Sequence, residues 1–219
     1  MRFARWRVRR HPAGSRFGAI RRAVSCGAVA LALTGAVAAL APAAQAASAS
    51  GPTAPAAAPA RIEGFARYVG QNNCDPVAKP GTTALAEMVL AYYGTGRDGG
   101  ISRDCSIGER SEHKEGRAWD WMVNVADPVE RATAEEFLAW LTAKGPDGKA
   151  AYNARRLGVM YLIWNQRIWL ASRADRGWLP YDGSSPHTDH IHVSLSWSGA
   201  MKQTSWWTGV RANVNKRHP

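Results

Sequence analysis

The chain has 219 residues, with 28 basic against 17 acidic side chains and a formal net charge of +11. The excess is local: Met1 to Arg22 holds eight arginines and no acid, and without that stretch 20 basic residues face 17 acidic ones. So small a surplus, about +3, gives no dense basic face, and nucleic-acid binding is set aside as a function class.

Along the chain, the arginine-rich start is followed by an apolar, alanine-rich run from Ala23 to Pro42 and by Ala43-Ala44-Gln45-Ala46. A basic region, an apolar run and a small-x-small site are the layout of a secretory signal peptide, expected over residues 1–46. A retained membrane anchor is the alternative. The expected location is therefore secreted, extracellular or associated with the cell wall. Residues 47–60 are almost entirely Ala, Pro, Ser, Gly and Thr and read as a spacer that can bury no core. The folded domain is expected over 61–219, long enough for one core. Outside the leader only Cys74 and Cys105 remain, and two cysteines in an exported protein usually pair. Metal ligation is their other reading, but neither sits in a C-x-x-C pattern. The disulfide should stabilise the fold by roughly 3–4 kcal/mol on the chain-entropy model.

Within the domain, Leu85, Met88, Val89 and Tyr92 recur at helical spacing, which predicts a helix over 82–93 stopped by Gly94. Thr133 and Glu136 form a capping box that predicts a helix from Thr133 to about Ala143. A third short helix, about 150–157, should end at Gly158. Val159 to Trp164 and Arg167 to Leu170 are apolar and β-prone around Asn165-Gln166, a hairpin pattern. Arg117 to Val123 and His190 to Trp197 alternate as strands, and Ile101 to Arg103 reads as a further short one. Helices and strands mix without a regular βαβ rhythm. The expected class is α+β, with a small, mostly antiparallel sheet and flanking helices.

Two segments carry chemistry. Ser111 to Asp120 places His113 and Asp120 seven apart, with Gly116 between, as a loop feeding a strand. Asp189-His190-Ile191-His192 supplies further histidines on a later strand. Two imidazoles and a carboxylate from His113, Asp120 and His192 suit zinc at about 2.0–2.2 Å and leave a position open for catalysis.

Ser111-x-His113-x-x-Gly116-x-Ala118-x-Asp120 resembles the S-x-H-x-x-G-x-A-x-D pattern of the zinc D-alanyl-D-alanine carboxypeptidases and dipeptidases. That superfamily also holds murein endopeptidases and the hedgehog signalling domain. His190-x-His192 resembles its H-x-H element. The resemblance spans about residues 99–197 and implies a hedgehog/DD-peptidase-like fold. It also implies a Zn²⁺ site on His113, Asp120 and His192, and hydrolysis of peptide bonds in peptidoglycan stem peptides. Nothing in the residues suggests an obligate partner, so a monomer is expected. The carboxypeptidase branch carries Glu three residues before the last ligand; here Asp189 stands there. Asp189 or His190 is then the general base, and an alternative register makes His190 a ligand and His187 the base. An arginine before the first histidine binds substrate in related peptidases. Arg103 fits that role, with Arg97 and Arg67 as alternatives. Glu112 and Glu115 read as solvated, and Ser111 as a support for the histidine loop. Of nine tryptophans outside the leader, Trp164 and Trp169 are candidates to wall a groove. The alternative functions are a non-catalytic, zinc-containing cell-wall or protein-binding module, and a metal-free wall-binding domain using the tryptophans.

Overall fold

The computed structural model describes residues 50–53 and 62–209. The expected leader, and most of the expected spacer, lie outside the described residues. Residues 50–53, inside the stretch read as spacer, lie against the domain: Tyr93 donates its hydroxyl to the Ser50 carbonyl at 3.1 Å. No helix among the described residues is long and apolar enough to cross a membrane.

The fold is α+β. Strands β1 (Arg97–Asp98), β2 (Ala118–Met122), β3 (Val159–Trp164), β4 (Arg167–Leu170), β5 (Trp178–Pro180) and β6 (Ile191–Leu195) form one antiparallel sheet. Their order is β1-β2-β6-β3-β4-β5, which puts β2 and β6 side by side although 72 residues separate Asp120 from its partner His192. The β3–β4 connection is the expected hairpin. Asn165 and Gln166 both have positive φ, 47° and 59°, as a two-residue turn matched to strand twist requires.

Helix α1 (Pro80–Tyr93) opens with proline in its first turn and ends at Gly94, whose φ of 59° closes the last turn onto Leu90. Helix α2 (Pro128–Thr142) corrects the expected start at Thr133. Asp127 is the cap, accepting from the Val129 and Glu130 amides at 2.8 and 3.0 Å. Asp-Pro provides both a side-chain cap and a pre-set φ. Thr133 lies inside the helix and donates its hydroxyl to the Val129 carbonyl. Helix α3 (Tyr152–Leu157) ends at Gly158 as expected, and two short helices, α4 (Trp197–Ala200) and α5 (Ser205–Thr208), follow the sheet. Residues 101–103 are not a strand; the added edge is β1, and Gly99 and Gly100 (φ 102°) carry its last bonds to Asp120 of β2.

The core fills one face of the sheet. Trp119 and Trp121 of β2, Leu162 and Trp164 of β3, and Ile191 and Val193 of β6 pack with Leu85 and Val89 of α1 and with Phe137, Trp140 and Leu141 of α2. Trp121 meets Phe137 edge-on at 5.5 Å, and Trp140 meets Trp206 likewise. The indole N–H of Trp119 donates to Asp98 and that of Trp121 to the Thr95 carbonyl, so these polar tips are satisfied by the edge of the sheet. Trp164 and Trp169 are buried in this core. They wall no groove, since apolar packing claims their faces.

Candidate metal centre

A 3₁₀ turn over Glu112–Glu115 positions the first site histidine. Ser111 caps it, accepting from the His113 amide at 3.4 Å, which is the supporting role read from the sequence. The turn ends at Gly116, where φ is +63° and a Cβ would lie 1.9 Å from the Val77 carbonyl oxygen. Only glycine meets both demands. The segment before α1 thus lies directly over the histidine turn, joined by bonds from the Asp75 amide to Lys114 O and from the Lys79 amide to Gly116 O, at 2.8 and 2.9 Å. The Cys74–Cys105 disulfide fastens the same layer.

Glu112 and Glu115 are buried, at 3% and 0% exposure, which corrects their reading as solvated. Glu115 accepts from the Asn72 and Asn73 amides at 3.0 and 3.1 Å and pairs with fully buried Arg117 at 2.7 Å. Burial pushes the Glu115 carboxyl up, but these donors outweigh it and hold the group below its usual range. Two charges taken out of water need such a set of partners.

Period-two alternation on the strands brings the remaining groups together. Asp120 and His192 face each other across the β2–β6 pair, with His192 Nδ1 2.9 Å from Asp120 Oδ1. His113 Nε2 lies 3.1 Å from that oxygen and 3.2 Å from His192 Nδ1. His113 donates its Nδ1–H to the Ile101 carbonyl at 2.8 Å, which turns Nε2 toward the cluster. Burial pushes the Asp120 carboxyl up; the two histidine hydrogen bonds prevail and hold it far below the usual carboxylate range. Burial also disfavours the charged form of His192. The donor chemistry fits a divalent ion. Three donors at about 2.0 Å around a tetrahedral ion stand about 3.3 Å apart, close to the 2.9, 3.1 and 3.2 Å separations here. The cluster of His113, Asp120 and His192 suits a metal.

The three donors open into a groove of about 520 Å³. His190 enters it, with Nε2 3.9 Å from Asp120 Oδ1, and donates its Nδ1–H to Asp189 at 2.8 Å. The two differ sharply in exposure: the His190 side chain is 16% exposed and that of Asp189 63%. His190 therefore stands at the groove and Asp189 behind it, its carboxyl held low by the His190 hydrogen bond. His187 is buried in the loop before β6, its ring 4.5 Å from that of His190. Burial lowers its pKa to about 4, so it stands neutral. Arg103 reaches the groove with Nη2 3.9 Å from Asp120 Oδ2, its backbone tied to the His113 carbonyl. Arg67 lines a separate cavity beside Glu63 and Trp197, and Arg97 sits on the sheet edge.

Sequence reasoning did not single out Tyr161, Tyr181, Arg110 or Ser194. The first three line the groove. Tyr161 stacks on the His192 ring at 5.3 Å and donates to Glu112, and Ser194 Oγ lies 3.0 Å from His192 Nε2. The strand alternation carried the signal for two of them: Ser194 is two residues from His192, and Tyr161 shares that face on β3.

Fold and site together define a single-sheet α+β domain with a candidate divalent-metal centre at the mouth of a polar groove. Residues 74–192, more than half of the chain, match the family model described as VldE, C-terminal domain, and the chain belongs to that family. The matched segment begins at the first disulfide cysteine and ends at the last donor of the cluster. No curated protein and no solved structure matches the chain.

Proposed function

We propose that this protein is a secreted zinc metallopeptidase that cleaves peptide bonds of peptidoglycan stem peptides. The observation that carries the reading is the convergence of His113, Asp120 and His192 within 3.2 Å of one another, beside a carboxylate-oriented histidine in an open groove. The S-x-H-x-x-G-x-A-x-D resemblance supports the peptide substrate class and the hedgehog/DD-peptidase-like label.

Zinc on those three residues supplies Lewis acidity, which polarises a carbonyl and acidifies a water. The rest falls to the chain. Asp189 accepts the Nδ1–H of His190 and so leaves Nε2 as the base that faces the groove. Its charge also steadies the imidazolium once a proton has been taken from the attacking water. Arg103, exposed at its side chain and tied at its backbone to His113, is placed to hold a substrate carboxylate or carbonyl oxygen. Tyr161 and Tyr181 give the groove flat walls.

Mass spectrometry of purified peptidoglycan fragments incubated with the mature protein tests the reading. Loss of alanine or of cross-links that a zinc chelator abolishes is the expected result, and it names the bond. No change, with zinc shown to be present in the sample, overturns the peptidase in favour of a non-catalytic zinc-containing wall-binding module.

A further inference from the structure

A second cavity opens away from the metal cluster and takes no part in the reaction above. It holds about 330 Å³, within the range of small-ligand sites. Trp197 and Arg67 stand at it, between the segment before α1 and the start of α4. Arg117 lies over the Trp197 ring, 5.3 Å from its centroid, yet 36% of the residue stays exposed. Thr204 also lines the cavity. It is 2% exposed, and its hydroxyl has no hydrogen-bond partner among the described residues. A buried hydroxyl left unpaired is unfavourable, and a ligand that bonds to it removes the penalty.

The other polar groups at the opening are held in place with bonding capacity left over. Both Glu63 oxygens are fixed at 2.7 Å, one by the Ser205 amide and one by its hydroxyl, and each keeps a further lone pair. Ser196 accepts from the Gly199 amide and keeps its own proton to donate. Arg155 differs, since its donors go to the Ala150 and Glu63 carbonyls and to Asp147. Glu63 and Arg67 then bring one charge of each sign, which disfavours a simple anion. A flat ring beside fixed donors and acceptors suits a molecule with an apolar face and a hydroxylated rim. A sugar ring has that shape.

We propose that this cavity is a saccharide site for the glycan strand of peptidoglycan, with Trp197 stacking on a sugar's C–H face and Arg67, Glu63, Ser196 and Thr204 bonding to its polar rim. Its place in the fold names the source. Tyr68 packs against Tyr161 of the groove, ring centroids 6.0 Å apart, and the next residue, Val69, lines the cavity. A polymer that lays a peptide in the groove therefore brings its attached sugar toward the cavity. That source rests on the function proposed above; the saccharide site itself does not.

Isothermal titration of the protein with peptidoglycan glycan strands stripped of peptide, and with an α-glucan, tests the proposal. The stripped strands should bind, equally with and without a zinc chelator, since none of the three candidate metal donors lines the cavity. Trp197→Ala and Arg67→Gln should each weaken binding about tenfold, and the exposed Arg67 gives a reading even if the tryptophan variant folds poorly. Thr204→Val should also weaken binding while thermal stability stays at or above wild type, because it removes an unpaired buried hydroxyl. No binding of either saccharide, or affinity unchanged in all three variants, would overturn the site. Equal affinity for the α-glucan would overturn peptidoglycan as its source. Stem peptides cleaved without saccharide binding would sink the site and keep the peptidase; saccharide binding without cleavage would do the reverse.

Discussion

On one face of β2, β3 and β6 stand Trp119, Trp121, Leu162, Trp164, Ile191 and Val193, each with no exposed surface. One residue along the same strands, on the other face, stand Asp120, Tyr161, His192 and Ser194. The first face is dry and filled by rings that meet edge to face; the second is ionised, hydrogen-bonded and open to a groove. The aromatic face is packed shut and yet decides where the polar face lies, because strands locked by bulky rings on one side cannot shift register on the other. The tryptophans on this face are scaffold, and the groove takes flat walls from tyrosine.

Substitutions on the two faces should therefore fail in different ways. Asp120→Ala should have the largest effect, loss of stoichiometric zinc measured by elemental analysis, with the far-ultraviolet circular dichroism unchanged. Zinc retained at one per chain in that variant would break the ligand assignment. Trp121→Ala should do the reverse. It should cost about 3–5 kcal/mol in denaturant unfolding, from lost burial and the cavity left behind, while the folded fraction keeps zinc affinity close to wild type. A variant as stable as wild type would show that the ring is not part of the core. The smallest effect belongs to neither face. Gln166 is exposed and has φ of +59°, so Gln166→Gly should relieve left-handed strain and gain about 0.5–1 kcal/mol. Equal gains in the presence and absence of zinc would confirm that the hairpin turn is independent of the site.

The elements legible in the sequence were those whose signal is local. Asn165-Gln166 between two apolar runs marked its hairpin to the residue, and the alternation around Asp120 and His192 put both on the correct face. The start of α2 was missed because a Thr–Glu pair inside a helix mimics a capping box, while Asp127-Pro128, beginning six residues earlier, holds the stronger signal. Glu112 and Glu115 were misread for a different reason. Charge predicts solvent unless a partner is present, and the partners, Arg117 apart, come from distant segments: Asn72, Asn73 and Tyr161. His190 and Asp189 were legible as a pair, but their division of labour depends on which side chain the strand turns toward the groove, which is a three-dimensional fact.

Asp120 and His192 are far apart in sequence and directly paired in space, so an unfolded chain cannot offer both to one ion. Whatever metal the site takes is then a ligand of the native state alone, and its binding couples to the folding equilibrium by thermodynamic linkage. At a free ion concentration one hundred times the dissociation constant, that coupling adds about 2.7 kcal/mol to stability. The melting temperature would then serve as a gauge of metal supply, and a chain starved of its ion would be the first to be lost to proteolysis.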